Sequence, residues 1–524
     1  MKKATLCLAL LCNIFSQEQI TIPFDWSEQN GILIQDGIFF SNQSWSSGIL
    51  SFDGTYSSYP SRYGGHTAKK IEISEIGNLP SFLPLPDSSL TQSFFDYYRG
   101  DYGLDKLDIG VEYQSKNKII KASGFKRSSF GNFAHYIHPA KTQAPIHQSY
   151  RIDYSTKKAK EQIEISAARY ITSSGLPDLI QNGFENDNII NSAFRYQRKF
   201  NQWTLNSYLS QFGQNRLLTH SLYSDSTSRF INRNRLEVQI MNDKGFEFGL
   251  SQKFQQYNSK TQFRSLGWSS LFFRKYYKSM SFMAGMQFSE SELYQPYIFS
   301  INYMSETRIG NFGLLVSSNS QPVHPDRNAS HNNEFEMRLR SSLYYDLYSR
   351  KFSLKSYMTN ISLKAGDLYS YSLGFAGIKG VLFLNDNWQI YSQIVSPLNS
   401  STKNKIGAKI DNGLKGKFQL FQNNMKISFH IWMDSYTNSA TNFTYDPFLQ
   451  FPHESADNNF EIYNRNLTHL EIESNISGVL LHYKIYNLLN AVGVNNEDVL
   501  FKPNAIYPEI GRMMQFGVTW YFDN

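Results

Sequence analysis

Histidines and carboxylates are the residues of this sequence that could hold a metal ion, and they gather in two places. His135, His138 and His147 lie in one predicted loop, where a separation of three residues fixes no ligand geometry. Glu185 and Asp187 stand among asparagines and could attract calcium, but they lack the ligand spacing of a calcium-binding loop. We therefore predict no metal site and interpret the histidines as surface residues.

Nucleophilic catalysis has no better support. His220, Ser221 and Ser224 lie close together in the sequence, but nothing around them indicates a catalytic triad. We find no phosphate-holding glycine loop after a strand and no zinc-protease motif. The two cysteines, Cys7 and Cys12, both fall in the predicted leader, so the exported chain would have neither a thiol nucleophile nor disulfides. We predict a protein that is not an enzyme, with no catalytic residue and no cofactor.

The first sixteen residues have the pattern of a secretory signal peptide. Two lysines precede an apolar run from Ala4 to Phe15, and the small residue Ser16 is followed by polar residues. A run of this length is too short to cross a bilayer as a helix and is typical of a segment removed during export. We predict a signal peptide at 1–16 and a short periplasmic segment at 17–46.

Charge and composition narrow the class of protein further. The 524 residues carry a formal net charge of +7 without a basic cluster interleaved with aromatic residues, so nucleic acid is not a predicted partner. Aromatic residues make up 15% of the chain and charged residues 18%. After the leader, no apolar run approaches the ~18 residues of a transmembrane helix. This composition suits strands in which apolar and polar side chains alternate.

The last strand of the chain shows this alternation most clearly. From Met514 onward apolar and polar side chains take turns, which is the side-chain period of a β-strand. The apolar face consists of Met514, Phe516, Val518, Trp520 and Phe522. A soluble β-sandwich could end in the same way, but the aromatic terminus resembles the C-terminal insertion signal of bacterial outer-membrane barrels. We therefore predict outer-membrane lipid and the outer-membrane assembly machinery as partners.

The connections between the predicted strands favour the barrel over the sandwich. Short turns and long connections largely alternate along the chain, as they do in an up-and-down barrel with short periplasmic turns and long extracellular loops. The long connections fall near 128–147, 171–190, 213–229, 319–332, 435–465 and 488–511. We predict an all-β, transmembrane, antiparallel up-and-down β-barrel of about 22 strands, with both termini in the periplasm.

The predicted barrel occupies 47–524 and begins with a weak strand near 47–57. The stretch 58–105 does not fit the meander, because its prolines between Leu79 and Pro86 prevent a central strand. Two interpretations stay open for it: a long first extracellular loop, or a segment folded into the lumen.

Alternation also indicates which polar side chains face the lumen. These predicted lumen residues include Arg235, Glu237, Gln239, Glu334, Glu336, Arg338 and Arg340. Their number and sign would tune what enters the barrel. Ordinary solvation of the lumen and cross-strand ion pairing are the alternative role for each of them.

Three C-terminal segments together resemble the barrels of TonB-dependent receptors. Asn412 to Gly416 and the strand that follows resemble a strand–turn–strand passage of that family. The residues that resemble its asparagine-leucine motif and its terminal motifs are Asn487, Leu488, Asn490, Tyr507, Pro508, Gly511 and Arg512. The resemblance implies a barrel in the outer membrane of a Gram-negative-type bacterium that takes part in the passage or binding of a solute.

The sequence departs from that family near its N-terminus. The receptors carry a plug domain inside the barrel, and the stretch between Gln17 and the strand predicted near 47–57 leaves no room for one. We therefore predict a receptor-like barrel that lacks the plug, and we do not carry coupling to TonB over with the fold. Three functions stay open: passage or binding of an unknown solute, adhesion or binding through the extracellular loops, and a barrel subunit plugged by another chain.

Overall fold

The computed structural model describes residues 88–129, 146–175, 184–220, 223–260, 263–290, 296–322, 335–365, 369–398, 404–405, 408–422, 424–436, 439–441, 443–446, 451–454, 460–462, 465–491 and 511–523, together with Leu79, Phe82 and Leu85. β-Strands account for nearly all of them. Within these ranges, no helix is both long enough and apolar enough to cross a bilayer.

Twenty-two of the strands form one antiparallel sheet. They are β1 (Leu90–Gly100), β2 (Leu104–Ser115), β3 (Lys118–Ser128), β4 (Ile146–Lys158), β5 (Glu161–Gly175), β6 (Phe184–Phe200), β7 (Trp203–His220), β8 (Tyr223–Asn242), β9 (Phe246–Ser259), β10 (Phe263–Tyr277), β11 (Met280–Ser289), β12 (Tyr297–Thr307), β13 (Gly310–Pro322), β14 (Phe335–Tyr348), β15 (Phe352–Ala365), β16 (Tyr369–Phe383), β17 (Trp388–Pro397), β19 (Lys409–Leu420), β20 (Met425–Tyr436), β25 (Arg465–Ile476), β26 (Val479–Tyr486) and β27 (Met513–Asp523). Five shorter strands form two small sheets in the long connections: β18 (Asn404–Lys405), β21 (Ser439–Thr441), β22 (Phe443–Asp446), β23 (Phe451–Glu454) and β24 (Phe460–Ile462).

The first strand closes the barrel because it pairs on both sides. Tyr97 of β1 lies opposite Leu107 of β2 and opposite Val518 of β27. Each barrel strand then has two hydrogen-bonded neighbours, so the sheet has no open edge, which is the condition for β-structure to exist in lipid. The predicted antiparallel barrel of about 22 strands is confirmed.

The two faces of the wall differ in the way that alternation predicts. On β27, Phe516, Trp520 and Phe522 point outward with 54%, 46% and 42% of their surface exposed, whereas Gln515 and Thr519 on the other face are buried. Outward apolar residues recur around the wall, for example on β2, β9 and β11. A closed sheet with an apolar exterior and a polar interior is the surface of a barrel that spans a membrane.

Short turns join the strands at one end of the barrel, and the longer connections lie at the other end. In the turn between β8 and β9, the Asn242 side-chain Oδ1 accepts hydrogen bonds from the backbone N–H groups of Lys244 and Phe246, both at 3.0 Å. Gly245 completes the turn with a φ of +78°, a conformation that costs glycine little. The connections at this end are short, as predicted, whereas those at the other end vary in length, from 221–222 between β7 and β8 to 437–464 between β20 and β25.

The predicted loop or lumen segment 58–105 ends too late in the chain. Part of the stretch 58–105 belongs to the meander, because Leu90–Gly100 is β1 and Leu104 begins β2. The prolines that argue against a strand stop at Pro86, so nothing prevents hydrogen bonding from Leu90 onward. The weak strand predicted near 47–57 lies outside the described residues, and β1 supplies the strand that the predicted count requires.

Two predicted long connections, 171–190 and 213–229, are instead largely strand. β6, β7 and β8 contain 17, 18 and 20 residues, well above the ~9–11 residues that a strand needs to cross a bilayer. Strands that rise beyond the bilayer need no apolar outer face, so the sequence alternation fades while backbone pairing continues. The loops were therefore predicted too long on this part of the wall.

Aromatic rings lie over glycines that stand directly opposite them on neighbouring strands. A Cβ atom at any of these glycines would collide with the ring. The pairs are Phe94 with Gly110, Phe272 with Gly249, Tyr344 with Gly313, Tyr357 with Gly377, Trp388 with Gly416, Tyr391 with Gly413 and Tyr98 with Gly517. Each glycine thus provides the space that the ring fills on the wall.

We expect Gly249→Ala to lower the free energy of unfolding by about 1–3 kcal/mol, because the added methyl group overlaps the Phe272 ring. Gly213→Ala on β7 is the matched control, since a Cβ there meets no atom within 4 Å. Unfolding of both variants by urea in lipid vesicles measures the difference. Equal stabilities would contradict the packing of the ring on the glycine.

The β8–β9 hairpin tests the assignment of faces. Val238 points outward, and we expect Val238→Arg to cost about 2–4 kcal/mol of stability in a bilayer because the charge must enter lipid. Gln239 is on the inner face, where its side chain donates to Glu237 at 2.6 Å, so Gln239→Arg should change stability little. The same vesicle assay compares the two variants, and equal tolerance would disprove the faces assigned here.

Candidate functional site

Among the residues that the structure describes, the inner wall of the barrel forms a surface that is both polar and enclosed. On β4 to β10 it carries buried ion pairs between arginines and carboxylates. The pairs are Arg151 with Asp153, Arg216 with Asp187, Arg235 with Glu237, and Arg274 with Glu247. Arg151 lies 2.7 Å from Asp153, and Arg274 lies 3.3 Å from Glu247. Because both partners of each pair are almost inaccessible, the pairs compensate the cost of burying their charges.

Arginines on this wall also pack on aromatic rings. The Arg233 guanidinium lies 4.4 Å from the ring centroid of Phe212, which is its direct neighbour on β7. The Arg229 guanidinium lies 6.0 Å from the ring centroid of Tyr257 on β9. Such contacts place the positive charge near the electron-rich face of the ring, which attracts it. Aromatic rings therefore lie beside cations on this wall.

The opposite wall, from β17 to β26, has a different chemistry. His430 stacks on Trp432 with ring centroids 4.3 Å apart, and Trp432 stacks on His469 at 5.0 Å. The Tyr391 hydroxyl lies 3.0 Å from His430 Nε2, and His469 Nε2 lies 3.5 Å from an Asp434 oxygen. The part of the chain that the structure describes contains no group of three or more metal-ligating side chains placed to hold an ion. This wall carries an aromatic cluster, and the Lys415 ammonium lies 5.5 Å from the ring centroid of Tyr391 within it.

The proline-rich stretch before β1 reaches the arginine-bearing wall. The Phe82 ring centroid lies 3.8 Å from the guanidinium of Arg195 on β6. The neighbours of Arg195 along β6 show that it faces inward, because Phe194 is 39% exposed on the outer face. Leu79, Phe82 and Leu85 are all partly buried. Of the two interpretations of 58–105, this contact favours the segment inside the lumen.

Where the structure describes the residues considered for metal binding or catalysis, they lie on several different strands. Asp187 is on β6 rather than in a loop, and it is buried in its pair with Arg216, with a further hydrogen bond from Gln214 at 2.8 Å. Glu185 is on the same strand, His147 is on β4, and His220 ends β7. His135, His138 and Ser221 lie outside the described residues.

The C-terminal motif residues lie at and near the seam that closes the barrel. Arg512 forms an ion pair with Asp101 at 3.7 Å, and its backbone carbonyl accepts a hydrogen bond from the Tyr102 hydroxyl at 2.6 Å. Burial raises the pKa of the Tyr102 phenol above its ordinary value. Gly511 directly precedes Arg512 and is buried. Tyr507 and Pro508 lie outside the described residues.

The asparagine-leucine motif has a conformational explanation. Asn487 is fully buried with a φ of +55°, a left-handed conformation that asparagine tolerates better than most residues. Its backbone N–H donates to His469 Nδ1 at 3.2 Å. Leu488 and Asn490 belong to the single helical turn, Leu488–Ala491, that follows. The motif thus ends β26 and fixes the orientation of a histidine on the inner wall.

The predicted lumen residues are on the inner face wherever the structure describes them. Glu237, Gln239, Glu336 and Arg340 are buried there, and Arg235 is 6% exposed. Arg338 shares the face of Glu336 and Arg340 because strand residues two apart point the same way. Glu334 lies outside the described residues. Sequence alternation identified these residues, but it gave no sign of the aromatic partners of Arg195, Arg229 and Arg233.

Comparison with known proteins supports the fold. No protein-family model and no curated protein sequence matches the chain. Solved structures do match: the FrpB iron transporter from Neisseria meningitidis has a TM-score of 0.61 at 8% identity, covering 83% of this chain and 81% of that chain. A variant of the ferric enterobactin receptor from Pseudomonas aeruginosa, in complex with enterobactin, has a TM-score of 0.60 at 11% identity, covering 84% and 82%.

The copper transporter OprC is a third similar structure, with a TM-score of 0.60 at 8% identity, covering 84% of this chain and 82% of that chain. All three are TonB-dependent receptor barrels. Identities this low establish similarity of architecture only. The chain therefore has the barrel fold of the TonB-dependent receptors, as its three C-terminal motifs predict.

Proposed function

We propose that this chain forms a barrel in the outer membrane of a Gram-negative-type bacterium and that a solute passes through its lumen or binds there. The observation that carries the proposal is the two-faced wall: outward residues such as Phe516 and Trp520 are exposed and apolar, while the inner face holds buried ion pairs. Polar, charged side chains in an enclosed lumen select solutes by size and charge. The named activities of the similar structures, transporters of iron and copper and a receptor for ferric enterobactin, are consistent with a small solute.

The proposal includes a constriction supplied by this chain. A lumen closed by 22 strands is wider than wall side chains can fill, so barrels of this size need something inside them to prevent leakage. We infer that the proline-rich stretch before β1 narrows the lumen, and the contact of Phe82 with Arg195 supports this. A receptor-like barrel without a separate plug domain would then be narrowed by a short segment. A plug supplied by another chain is the alternative.

Single-channel recording of the purified protein in a planar bilayer tests solute passage. We expect discrete conductance steps, with a mock purification from cells that lack the protein as the negative control for contaminating porins. The absence of any conductance, from intact protein and from protein without the proline-rich stretch, would contradict passage through the lumen.

Surface binding is a second candidate, and one observation favours it. Two of the connections, β17 to β19 and β20 to β25, contain strands that the structure describes: β18, β21 and β24 form one small sheet, and β22 pairs with β23 in another. Ordered β-structure at the end of the barrel with the long connections suits a binding surface. Deleting 437–464 between β20 and β25 separates the two functions: adhesion should be lost while conductance stays, whereas unchanged adhesion would remove this candidate.

A further inference from the structure

The outer face of the barrel has a groove between β13 and β17, which we call the outer groove. Its volume is about 530 Å³, within the range of ~300–1,000 Å³ of pockets that hold small organic molecules. The large side chains around it are apolar or aromatic and lie on the outer face: Phe312, Leu343, Tyr345, Met358, Ile378 and Ile394. Met358 and Ile378 are 45% and 46% exposed. The outer groove therefore opens on the surface that the barrel presents to lipid.

Small residues form the floor of the outer groove. Ser356 lies between Tyr345 and Ile378 in one row of directly opposed residues. In the next row, Ala376 lies directly opposite Met358. Because their neighbours project farther from the wall, the two small side chains leave a depression. A flexible hydrocarbon chain that lies in it gains van der Waals contacts on both sides.

The outer groove begins at the short turns, which form the periplasmic end of the barrel. The Tyr345 hydroxyl donates a hydrogen bond to the backbone carbonyl of Ile309, in the turn between β12 and β13, and its ring lies against Gly310. Ile309 and Tyr348 are 72% and 78% exposed at the ends of these strands. Exposed aromatic side chains of a barrel lie at the boundary between hydrocarbon and headgroups. One end of the outer groove is therefore at the level of the phospholipid headgroups.

Two neighbouring turns carry three exposed cations at this level. Arg308 is in the turn between β12 and β13, and Arg350 and Lys351 are in the turn between β14 and β15. The Ser349 hydroxyl accepts a hydrogen bond from the backbone N–H of Lys351 at 3.3 Å, which holds the second turn in shape. The two turns are two strand spacings apart, about 10 Å. A single headgroup phosphate between them is within reach of the long side chains of both.

The carboxylates near these turns lie elsewhere. Glu306, Asn311 and Asp346 form one row of opposed residues across β12, β13 and β14. Asp346 is an even number of residues from the inward-facing Arg340, so this row faces the lumen. Asp386 is in the next turn, between β16 and β17. At the headgroup end of the outer groove, the exposed cations are thus on the lipid side of two carboxylates that face the lumen.

We propose that the outer groove and these two turns bind one anionic phospholipid of the periplasmic leaflet. An acyl chain lies over the small residues of the groove, and the headgroup phosphate lies near Arg308, Arg350 and Lys351. Clustered lysines and arginines at a membrane surface attract anionic lipid headgroups, and a guanidinium donates two parallel hydrogen bonds to phosphate oxygens. The order of the two parts, with hydrocarbon surface in the membrane and cations at its edge, is that of a lipid. This inference is independent of what passes through the lumen.

Native mass spectrometry of the purified protein in detergent micelles tests the proposal with two added lipids. Dioleoylphosphatidylglycerol and dioleoylphosphatidylcholine have the same acyl chains, but only the first carries a net negative charge. We expect one phosphatidylglycerol to be retained per barrel, with a preference of about fivefold over phosphatidylcholine. The triple variant Arg308→Gln, Arg350→Gln, Lys351→Gln should lose this preference.

The matched control for the cations is the triple variant Lys157→Gln, Lys158→Gln, Lys160→Gln. These lysines are exposed at the short turn between β4 and β5, on the opposite side of the barrel from β14. The control removes the same charge from the same end of the protein, so it should keep the preference for phosphatidylglycerol.

A second pair of variants tests the outer groove itself. Ser356→Leu combined with Ala376→Leu fills the floor, and we expect it to lower retention of phosphatidylglycerol about fivefold, because the acyl chain loses its contacts. Gly380→Leu combined with Ser392→Leu is the matched control. These two residues lie opposite each other on the same outer face but do not line the groove, and a Cβ at Gly380 meets no atom within 4 Å. The control should change retention less than about twofold.

All four leucines would face lipid, so the barrels should still fold, and heat-dependent gel mobility verifies this for every variant. Equal retention of the two lipids by the intact protein would overturn the proposal. Equal losses in a variant and its matched control would overturn it as well. A dimer of barrels that only the groove-filling variant disrupts would also overturn it, because the outer groove would then be an interface between two copies of this chain.

Discussion

Removing residues 66–87 and joining the ends with a short Gly/Ser linker is expected to raise single-channel conductance several-fold while the barrel still forms. The barrel strands all lie between Leu90 and Asp523, so the deletion touches none of them. Phe82, which is removed, lies against the inward-facing Arg195, and the lumen of a barrel this large needs a constriction. Uptake of antibiotics that the outer membrane normally excludes should rise in parallel.

The control for this deletion keeps the length of the stretch and changes only its composition. Replacing 66–87 with the same number of Gly and Ser residues removes the prolines and the apolar side chains, so conductance should rise here too, although less than in the deletion. Deleting 130–145 between β3 and β4 should leave conductance near that of the intact protein. Unchanged conductance in a correctly inserted 66–87 deletion would eliminate this stretch as the constriction.

Deleting Tyr521 to Asn524 is expected to strand nearly all of the protein in the periplasm. The deletion removes the register pairs of Phe522 with Ser93 and of Tyr521 with Phe94, at the seam where β27 closes the barrel onto β1. It also removes the ring of Phe522, which packs on Trp520 at 4.3 Å, from the interface where aromatic side chains are favoured. Membrane fractionation and the heat-dependent gel mobility of folded barrels measure the loss.

Point variants distinguish the contribution of the aromatic side chains at the end of β27 to assembly from the contribution of its backbone pairing with β1. Phe522→Ser removes an outward ring and should reduce assembly markedly, whereas deletion of Asn524 alone, beyond the strand, should have little effect. Tyr521→Ser changes a side chain on the other face and should fall between them. Normal amounts of the truncated chain in the outer membrane would show that the final strand is not the insertion signal.

Alternation alone identified much of the architecture. Strand residues two apart share a face, so the apolar residues of the last strand all lie on one side of it. Once lipid covers one side, that side must be the one with Met514, Phe516, Val518, Trp520 and Phe522. The alternation of short and long connections determined the meander, since every second turn lies on the same side of a membrane. The inward directions of Arg235, Glu237 and Gln239 followed from the same rule.

Side-chain alternation did not predict the strand ends that continue beyond the bilayer, where no apolar face is needed. The polar ends of β6, β7 and β8, within 171–190 and 213–229, were predicted as loops, yet they pair with each other because backbone pairing needs no particular side chain. The sequence pattern did not predict β1 for a related reason. Its pairing with β27, more than four hundred residues away in sequence, depends on closure of the whole sheet, and no local signal records it.

The sequence by itself determined the class of fold and the two faces of the strands. Only the tertiary structure decided which side chains meet. The opposition of Arg216 and Arg229, the packing of Phe272 over Gly249 and the contact of Phe82 with Arg195 depend on strand register and on how the sheet closes. A shift of one residue in register would separate each of these partners while leaving the alternation of the sequence unchanged.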